Sequence, residues 1–527
     1  MKIGTTTRGL ALGLCLLAVL LGQFLAACGG TPNTPSNSNG PVDLTVWIDP
    51  AVPEVSGPPA NWDFYTTVRQ KLNINLHLTL LPLGDDGNTK MSAAAAANNL
   101  PDLFQITDTN LFLQWVNLGL IAPVDNLLPM MPQRTKARYS DPTLTKLATV
   151  NGKIYMLQEP SSFNKRGGVF IRKDWLDKLG LPMPKTLDDL FNVAKAFTYN
   201  DPDGDGKNDT YGFGATTSSS GTGLGAAFST IFGAYGITGG WDYSSGKAVL
   251  NVRDPGYLQA VDFIKKMSDA KVIDPNWTTL TTNDFRARWK QGKYGIFPED
   301  FCAGICQANY QAFDTNFPKG VLVPLGPIQG PDGQASMGTF SNVGYRMGVS
   351  QKAMNAGKGP AIAKLLEWLN SGEGYYLAGF GKEGTNYKLD AQGNITTAGV
   401  PVPFTTHEEA PYIQMRNMVL NNSPAELKVR YPSFKTKAGR TIDPLQVYNT
   451  IASMPWKDDT MSYAIPPASN QADINRYVDE ALVQFVTGQK PLTTDTWNTF
   501  VKGLDGLNVP DWEAKATQTL QQRGLLK

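Results

Sequence analysis

Apolar and polar residues alternate strictly through Ile74-Asn75-Leu76-His77-Leu78-Thr79-Leu80, which is the period of a strand with one buried face. An earlier run, Asp43 to Ile48, is also β-prone and is halted by Pro50. The alanine-rich stretch Met91 to Asn99 predicts a helix, and Leu100 to Ile106 a further strand. Strands separated by helical stretches in this order predict an α/β sheet with parallel strands. From residue 151 the pattern resumes with new sequences. Asn151-Gly152-Lys153-Ile154-Tyr155 is a turn entering a strand, and Gly168 to Arg172 is another strand. Lys173 to Leu179 predicts a helix stopped by Gly180, and Leu187 to Phe197 an amphipathic helix. The Ser/Gly stretch Thr216 to Gly225 is a loop. Further helices are expected at Pro255–Ala270 and Asn283–Gln291, then a strand at Lys293–Phe297. Gly344–Val349 reads as a strand feeding the helix Gly359–Asn370, and the last hundred residues are mainly helical, with no repeat of fixed period.

The first 27 residues break this pattern. Lys2 and Arg8 precede the apolar run Leu10–Leu21, which is short for a permanent membrane span and has the form of a secretory signal. The run ends in Leu25-Ala26-Ala27-Cys28-Gly29, which resembles the lipobox of bacterial lipoproteins, so Cys28 is the expected site of lipidation. Residues 28–41 offer almost nothing apolar and read as a flexible tether. Cleavage before Cys28 leaves 500 residues, enough for two or three domains. The signal removes two basic residues and no acid, leaving 45 Lys and Arg against 46 Asp and Glu. That net charge of −1 gives no electrostatic case for nucleic acid or for an anionic membrane surface. Membrane attachment is therefore expected through the N-terminal lipid alone, at the outer face of the cytoplasmic membrane.

Besides Cys15, in the signal, and Cys28, only Cys302 and Cys306 remain, and outside the cytoplasm their spacing favours a local disulfide. His77 and His407, the two histidines, have no partner at a zinc-binding spacing. A calcium site has better support. Asp201-Pro202-Asp203-Gly204-Asp205-Gly206-Lys207-Asn208-Asp209 sets carboxylates at loop positions 1, 3, 5 and 9, glycine at 6, and the Lys207 carbonyl at 7. Position 12 is Gly212, where an EF-hand supplies a bidentate Glu. Four carboxylates leave little open coordination, so the expected role of Ca²⁺ is structural.

Three segments together make a wider resemblance: Leu100-Pro101-Asp102-Leu103-Phe104, Asn151 to Tyr155, and the long run Ile171-Arg172-Lys173-Asp174-Trp175-Leu176-Asp177-Lys178-Leu179-Gly180-Leu181 continuing to Asp209-Thr210-Tyr211-Gly212. The chain is similar to extracellular solute-binding proteins of bacterial ABC importers, in the branch that carries oligosaccharides such as aldouronates and alginate. The resemblance implies a two-lobed α/β fold of the type II periplasmic-binding-protein kind, with a mixed sheet in each lobe. It further implies hinge crossings between the lobes and a ligand enclosed at the cleft. By analogy, residues 42–163 and 345–400 form the first lobe, and 164–344 with 401–527 the second, which carries the calcium-like loop 201–212. Crossings are expected near Pro160–Gly167 and Ser341–Tyr345. Thr210 stands where related proteins can carry an acidic calcium ligand.

Sugars present apolar faces edged by hydroxyls, so their sites combine aromatic platforms with carboxylates, amides or arginine in a cleft. Open α/β sheets bind at the carboxyl ends of their strands. The candidates by that rule are Trp47 and Asp49, then Thr107, Asp108 and Asn110, then Glu159 and Arg166 at the first crossing, and Glu299 and Asp300. Trp241 is a candidate platform on the second lobe; Tyr345, Tyr376 and Trp456 are weaker ones. The implied function is capture of an oligosaccharide by a monomer and its delivery to ABC permease subunits, without chemistry. A secreted carbohydrate-active enzyme, or a receptor of this fold for a peptide or other non-sugar ligand, is the alternative. The carboxylate pairs available to such an enzyme, Glu408-Glu409 and Glu299-Asp300, are adjacent in sequence and ill placed to flank one bond.

Overall fold

The computed structural model describes residues 40–49, 57–82, 85–161, 163–217, 224–404, 415, 418–419 and 423–527. The signal, Cys28, nearly all of the tether, His407 and the Glu408-Glu409 pair lie outside the described residues. Val42–Lys527 form one compact unit.

Strands β1 (Val42–Ile48), β2 (Ile74–Leu80), β3 (Leu103–Gln105), β4 (Leu157–Pro160), β5 (Gly167–Arg172), β6 (Tyr211–Phe213), β7 (Tyr294–Asp300), β8 (Leu322–Pro324) and β9 (Val343–Val349) build two separate sheets. The first runs β2-β1-β3-β9-β4 and the second β8-β5-β7-β6. β1 pairs in parallel with β2 along its whole length and with β3 at Val46 and Trp47. Up to this point the sheet is the parallel one that the apolar pattern predicts. β9 then enters antiparallel to both β3 and β4, because it arrives from the other lobe rather than over a local helix. In the second sheet β7 runs parallel to β6 but antiparallel to β5. Both sheets are therefore mixed, in the two-lobed type II arrangement.

Alternate residues of β1, Leu44, Val46 and Ile48, are buried. They meet Ile362, Leu365 and Leu366 of the helix Gly359–Leu369 in the core of the first lobe. A second cluster covers the opposite face of that sheet, with Phe104, Ile106, Phe112 and Trp115. The second lobe is centred on Ile171, Trp175, Phe197, Phe213 and Ile296, and receives the C-terminal helices through Phe485, Trp497 and Trp512. Burying side chains of this size contributes roughly 1.5–3 kcal/mol each, which makes these clusters the main stabilising term. The helix Lys173–Leu179 ends on Gly180 in the left-handed region, as expected from the glycine. Leu187–Tyr199 is opened by a capping box between Thr186 and Asp189.

The chain passes from β4 to β5 over residues 161–166 and returns from the second lobe into β9. Asn164 ties these two passages together, its amide donating to the carbonyls of Ser161 (3.1 Å) and Ser341 (2.8 Å). Phe404, Met415, Met418 and Val419 pack in the first lobe's core, and the Tyr375 hydroxyl donates to Glu426 at 2.8 Å. Tyr431 instead joins Phe163, Phe301 and Tyr448 in the second lobe. The third passage therefore falls near residue 430 and not at the boundary of 400 that analogy suggested, because the apolar residues after 404 still face the first core. Among the described residues no helix is long and apolar enough to cross a membrane.

Candidate functional site

The carboxyl ends of β1 and β3 and the start of β9 meet on one edge of the first sheet. Trp47 is half-buried there, with the Lys90 ammonium 5.0 Å from its ring. The Asp49 backbone N–H donates to Gln105 Oε1 at 2.8 Å, which fixes the chain as it leaves β1. Burial pushes the Asp49 carboxyl up to about 6. The Tyr345 hydroxyl is buried and has no hydrogen-bond partner among the described residues, and burial, with the charge of Asp49, holds its pKa well above the ordinary value. An unpartnered buried hydroxyl of this kind costs free energy unless something else satisfies it. β9 shifts register between Val343 and Arg346, a bulge of the kind that re-aims successive side chains beside binding sites.

Arg346 projects between the lobes. It donates to the Thr107 carbonyl at 2.8 Å and to Thr109 Oγ1 at 3.1 Å, both in the first lobe. Its guanidinium also lies 5.4 Å from the ring of Tyr463, whose neighbour Ala464 belongs to the second lobe's core. Thr107 and Asn110 are exposed beside it, and the Asp108 carboxylate caps the helix Thr109–Asn117 by accepting from the backbone N–H groups of Asn110 and Leu111. On the second lobe, Trp456 is held by its indole N–H donating to the Ile451 carbonyl (3.0 Å). The Tyr243 hydroxyl donates to Asp459 Oδ1 at 3.3 Å, and burial raises the Asp459 carboxyl to about 6. Phe340 lies under the Lys165 ammonium at 4.6 Å, and Asn342 bonds Thr460 and Asp458.

Trp47, Asp49, Thr107, Asp108, Asn110 and Tyr345 thus lie together on one sheet edge. Five other expected ligand residues are engaged inside the protein. Glu159 is 3% exposed and faces the Arg138 guanidinium in a bidentate pair at 3.2 and 3.3 Å. Arg166 is clamped by both oxygens of Asp300 and lies over Phe163 and Phe301. Glu299 is paired with Arg286, and Asp300 also caps the short helix Phe301–Ile305. Trp241 is buried edge-on against Trp512, 4.8 Å between centroids, which makes it a core residue and no platform. Tyr376 packs among Tyr375, Phe380 and Tyr387. Sequence reasoning missed Arg346, Gln105, Tyr463 and Asp459. Arg346 could have been found as the neighbour of Tyr345 on a strand already placed at the cleft.

Cys302 and Cys306 are joined in a disulfide. In the acidic loop, one carboxylate oxygen from each of Asp201, Asp203 and Asp205 lies within 4.8 Å of the others. Asp201, itself in the left-handed region, accepts from the N–H groups of Gly204 and Gly206, which folds the loop around its own carboxylate. Buried oxygens of Asp203 and Asp209 have no hydrogen-bond partner among the described residues, and burial together with Asp205 raises the Asp203 pKa. A hard cation satisfies such oxygens, so the donor set fits Ca²⁺. Lys207 on Asp205 (3.0 Å) and Lys293 on Asp209 (2.5 Å) offset part of the charge. Thr210 is buried and its hydroxyl donates to the Phe197 carbonyl, so it turns away from the loop. Gly212 lies on β6 hard against the backbone of Ala194.

The family described as bacterial extracellular solute-binding protein matches residues 71–376. Among curated relatives, the polygalacturonan/rhamnogalacturonan-binding protein YtcQ of Bacillus subtilis (strain 168) is 29% identical over 328 residues, 61% of this chain and 62% of that protein. Lipoprotein LipO of the same organism is 27% identical over 308 residues, 57% of this chain and 59% of that one. The chain spans about three fifths of the length of these two relatives. Among solved structures, the Streptococcus pneumoniae ABC-transporter substrate-binding protein FusA in complex with kestose aligns with a TM-score of 0.66 at 20% identity, covering 91% of this chain and 99% of that one. An EF-hand mutant of FusA in complex with fructo-nystose aligns with a TM-score of 0.65 at 19% identity, with the same coverage.

Proposed function

The chain belongs to the bacterial extracellular solute-binding protein family, and we propose that its two lobes close on an oligosaccharide and present it, chemically unchanged, to the permease of an ABC importer. The observation that carries this is the buried Tyr345 hydroxyl without a partner, set between Trp47, Asp49 and Arg346 on a sheet edge that faces Tyr463 of the other lobe. An aromatic face, a carboxylate, a hydroxyl and a guanidinium converging between two bodies suit a ring edged with hydroxyls. The polysaccharide named for YtcQ and the kestose held by FusA support the same class of guest. Glu299 and Asp300, the carboxylate pair available to an enzyme among the described residues, are both committed to arginines.

The same reading holds the protein, as a monomer, at the outer face of the cytoplasmic membrane by lipid on Cys28, supported by the lipobox-like sequence and by the relative named a lipoprotein. It assigns Ca²⁺ to Asp201, Asp203, Asp205, Asp209 and the Lys207 carbonyl as a structural ion that supplies charge to the loop; the EF-hand of FusA supports it. Titration calorimetry of the purified body against a panel of neutral and acidic oligosaccharides and peptides, with chromatography of the glycans afterwards, tests the function. Saturable binding of a glycan without products is expected. Turnover of the glycan, or binding confined to peptides, would overturn it.

A further inference from the structure

The chain joins the lobes at residues 161–166, at the return into β9 and near residue 430. A further contact between them needs no covalent link. The helix Pro142–Ala148 comes before the first passage, and its end is fastened to the first lobe. The Ala148 carbonyl accepts from the Tyr155 N–H at 2.9 Å, and the neighbouring Ile154 N–H donates to Asp125 at 2.9 Å. Ala148 packs with Phe104 and Trp115 of the first lobe. Leu144 and Leu147, only 1% and 3% exposed, belong instead to the second lobe's core, with Trp512, Ala516 and Leu520 of the last helix, Val509–Gln522.

The polar contacts at this place are reciprocal. A helix leaves its last carbonyls without donors of its own, and a cation suits that end of its dipole. Here each of two helices receives a cation from the other. Arg523, just past Gln522, donates to the Leu147 carbonyl at 2.9 Å, and Lys146 donates to the Gly524 carbonyl at 2.7 Å. Gly524 takes the left-handed conformation, φ 62°, that lets the chain turn back after a helix, and Leu525 and Leu526 then return onto the second core. Arg523 is half-buried, and burial lowers its pKa below the ordinary value. The helix Pro142–Ala148 also packs on the turn Thr460–Ala464, whose Tyr463 ring meets Arg346. The contact is thus made in the same conformation in which the lobes approach each other across the candidate site.

Two bodies joined by thin passages swing freely unless an apolar contact holds them. The buried Leu144 and Leu147, closed over by two charged donors, make such a contact. We propose that the C-terminal turn, residues 523–526, is a latch that grips the helix Pro142–Ala148 and keeps the two lobes near their closed spacing while the cleft is empty. Arg523 and Lys146 act in it as positioning residues, since they touch the opposite lobe and not the guest. Part of the ordering that capture demands is completed in advance, so less of it is charged against binding. The latch works in this way whatever guest the cleft takes.

Small-angle X-ray scattering of the ligand-free body, with hydrogen exchange followed over residues 142–155, tests this. Arg523→Ala combined with Lys146→Ala should raise the radius of gyration and speed exchange in that segment roughly tenfold, the factor that accompanies loss of a hydrogen bond from a charged donor. Arg523→Lys alone keeps a donor for the Leu147 carbonyl and should scatter as wild type does. Melting curves of each variant check that both lobes are folded. An unchanged radius in the double variant, with or without faster exchange, would reduce the contact to local packing and overturn the proposal. A smaller radius would overturn it too, since the contact would then hold the lobes apart. No glycan enters the measurement, so either failure leaves the receptor assignment standing.

Discussion

An EF-hand loop would carry a bidentate Glu where this chain has Gly212, so Gly212→Glu looks at first like a repair. The packing predicts the opposite. Gly212 lies at the centre of β6, and its N–H donates to Thr198 Oγ1 at 2.9 Å. A β-carbon added there would overlap the carbonyl oxygen of Ala194 and stand 2.5 Å from that residue's carbonyl carbon and Cα. The obstacle is backbone inside the helix Leu187–Tyr199, whose Ala194 and Phe197 are core residues, so it cannot turn aside as a side chain would. Overpacking of this kind costs about 3 kcal/mol or more. For a lobe unfolding as a unit of roughly 200 residues, that corresponds to a fall in Tm of about 6–12 °C. The assay is calorimetric melting of wild type and Gly212→Glu, each in excess EGTA and in millimolar CaCl₂. The variant should melt lower in both media, with a calcium-induced rise no larger than wild type's. A variant that melts with wild type in EGTA and gains a larger calcium shift would refute the reasoning, since the carboxylate would then have reached the loop.

For wild type itself, calcium at about a hundred times its Kd should raise stability by roughly 2.7 kcal/mol, and Asp203→Asn should abolish that rise in the same melting assay. Glu159→Ala leaves the half-buried Arg138 without the buried carboxylate it faces and should cost about 3 kcal/mol by denaturant unfolding, although sequence order suggested a ligand contact. Trp241→Ala should lower the Tm through loss of buried packing worth about 3–5 kcal/mol, whereas Trp47→Ala should weaken glycan binding with a much smaller thermal effect; a reversal of the two would move the platform to the second lobe. The Asp459 carboxyl is raised in the folded state to about 6 from 3.8. The folded protein therefore binds its proton more tightly, and stability is gained as pH falls through 6 toward 4. Asp459→Asn should then stabilise by roughly 1–2 kcal/mol at pH 7.5, after allowance for solvent screening, and by little at pH 4, as read from melting curves at the two pH values.

How far the sequence could be read depended on where the physical cause lay. β2 was placed to the residue, because alternation is a local property and Ile74 and Leu76 bury on the predicted face. The helix Lys173–Leu179 and its glycine stop were legible for the same reason. The antiparallel entry of β9 was not, since nothing within Gly344–Val349 records that the chain returns from another lobe. The candidate site divided along the same line. Trp47 and Asp49 follow from the rule of strand ends. The pairing of Glu159 with Arg138, 21 residues apart, and of Trp241 with Trp512 depends on tertiary neighbours, so single residues of the right chemistry gave no warning that they were already spent. Arg346 was legible only as the sequence neighbour of Tyr345, since its bonds to Thr107 and Thr109 and its contact with Tyr463 depend on tertiary neighbours.

The late arrival of β9 has a consequence for assembly. A fragment ending at Pro160 would own β1, β2 and β3, but the outer edge of β3 would stay bare, and β4 would have no strand to join. Bare strand edges invite pairing with other chains. The first lobe therefore cannot be completed until more than 180 further residues have been threaded, by which time every strand of the second sheet is available. During export the N-terminal half must wait, half-built, on the domain that follows it, and attempts to produce that lobe alone by simple truncation should yield aggregates where a graft that supplies residues 343–349 would not.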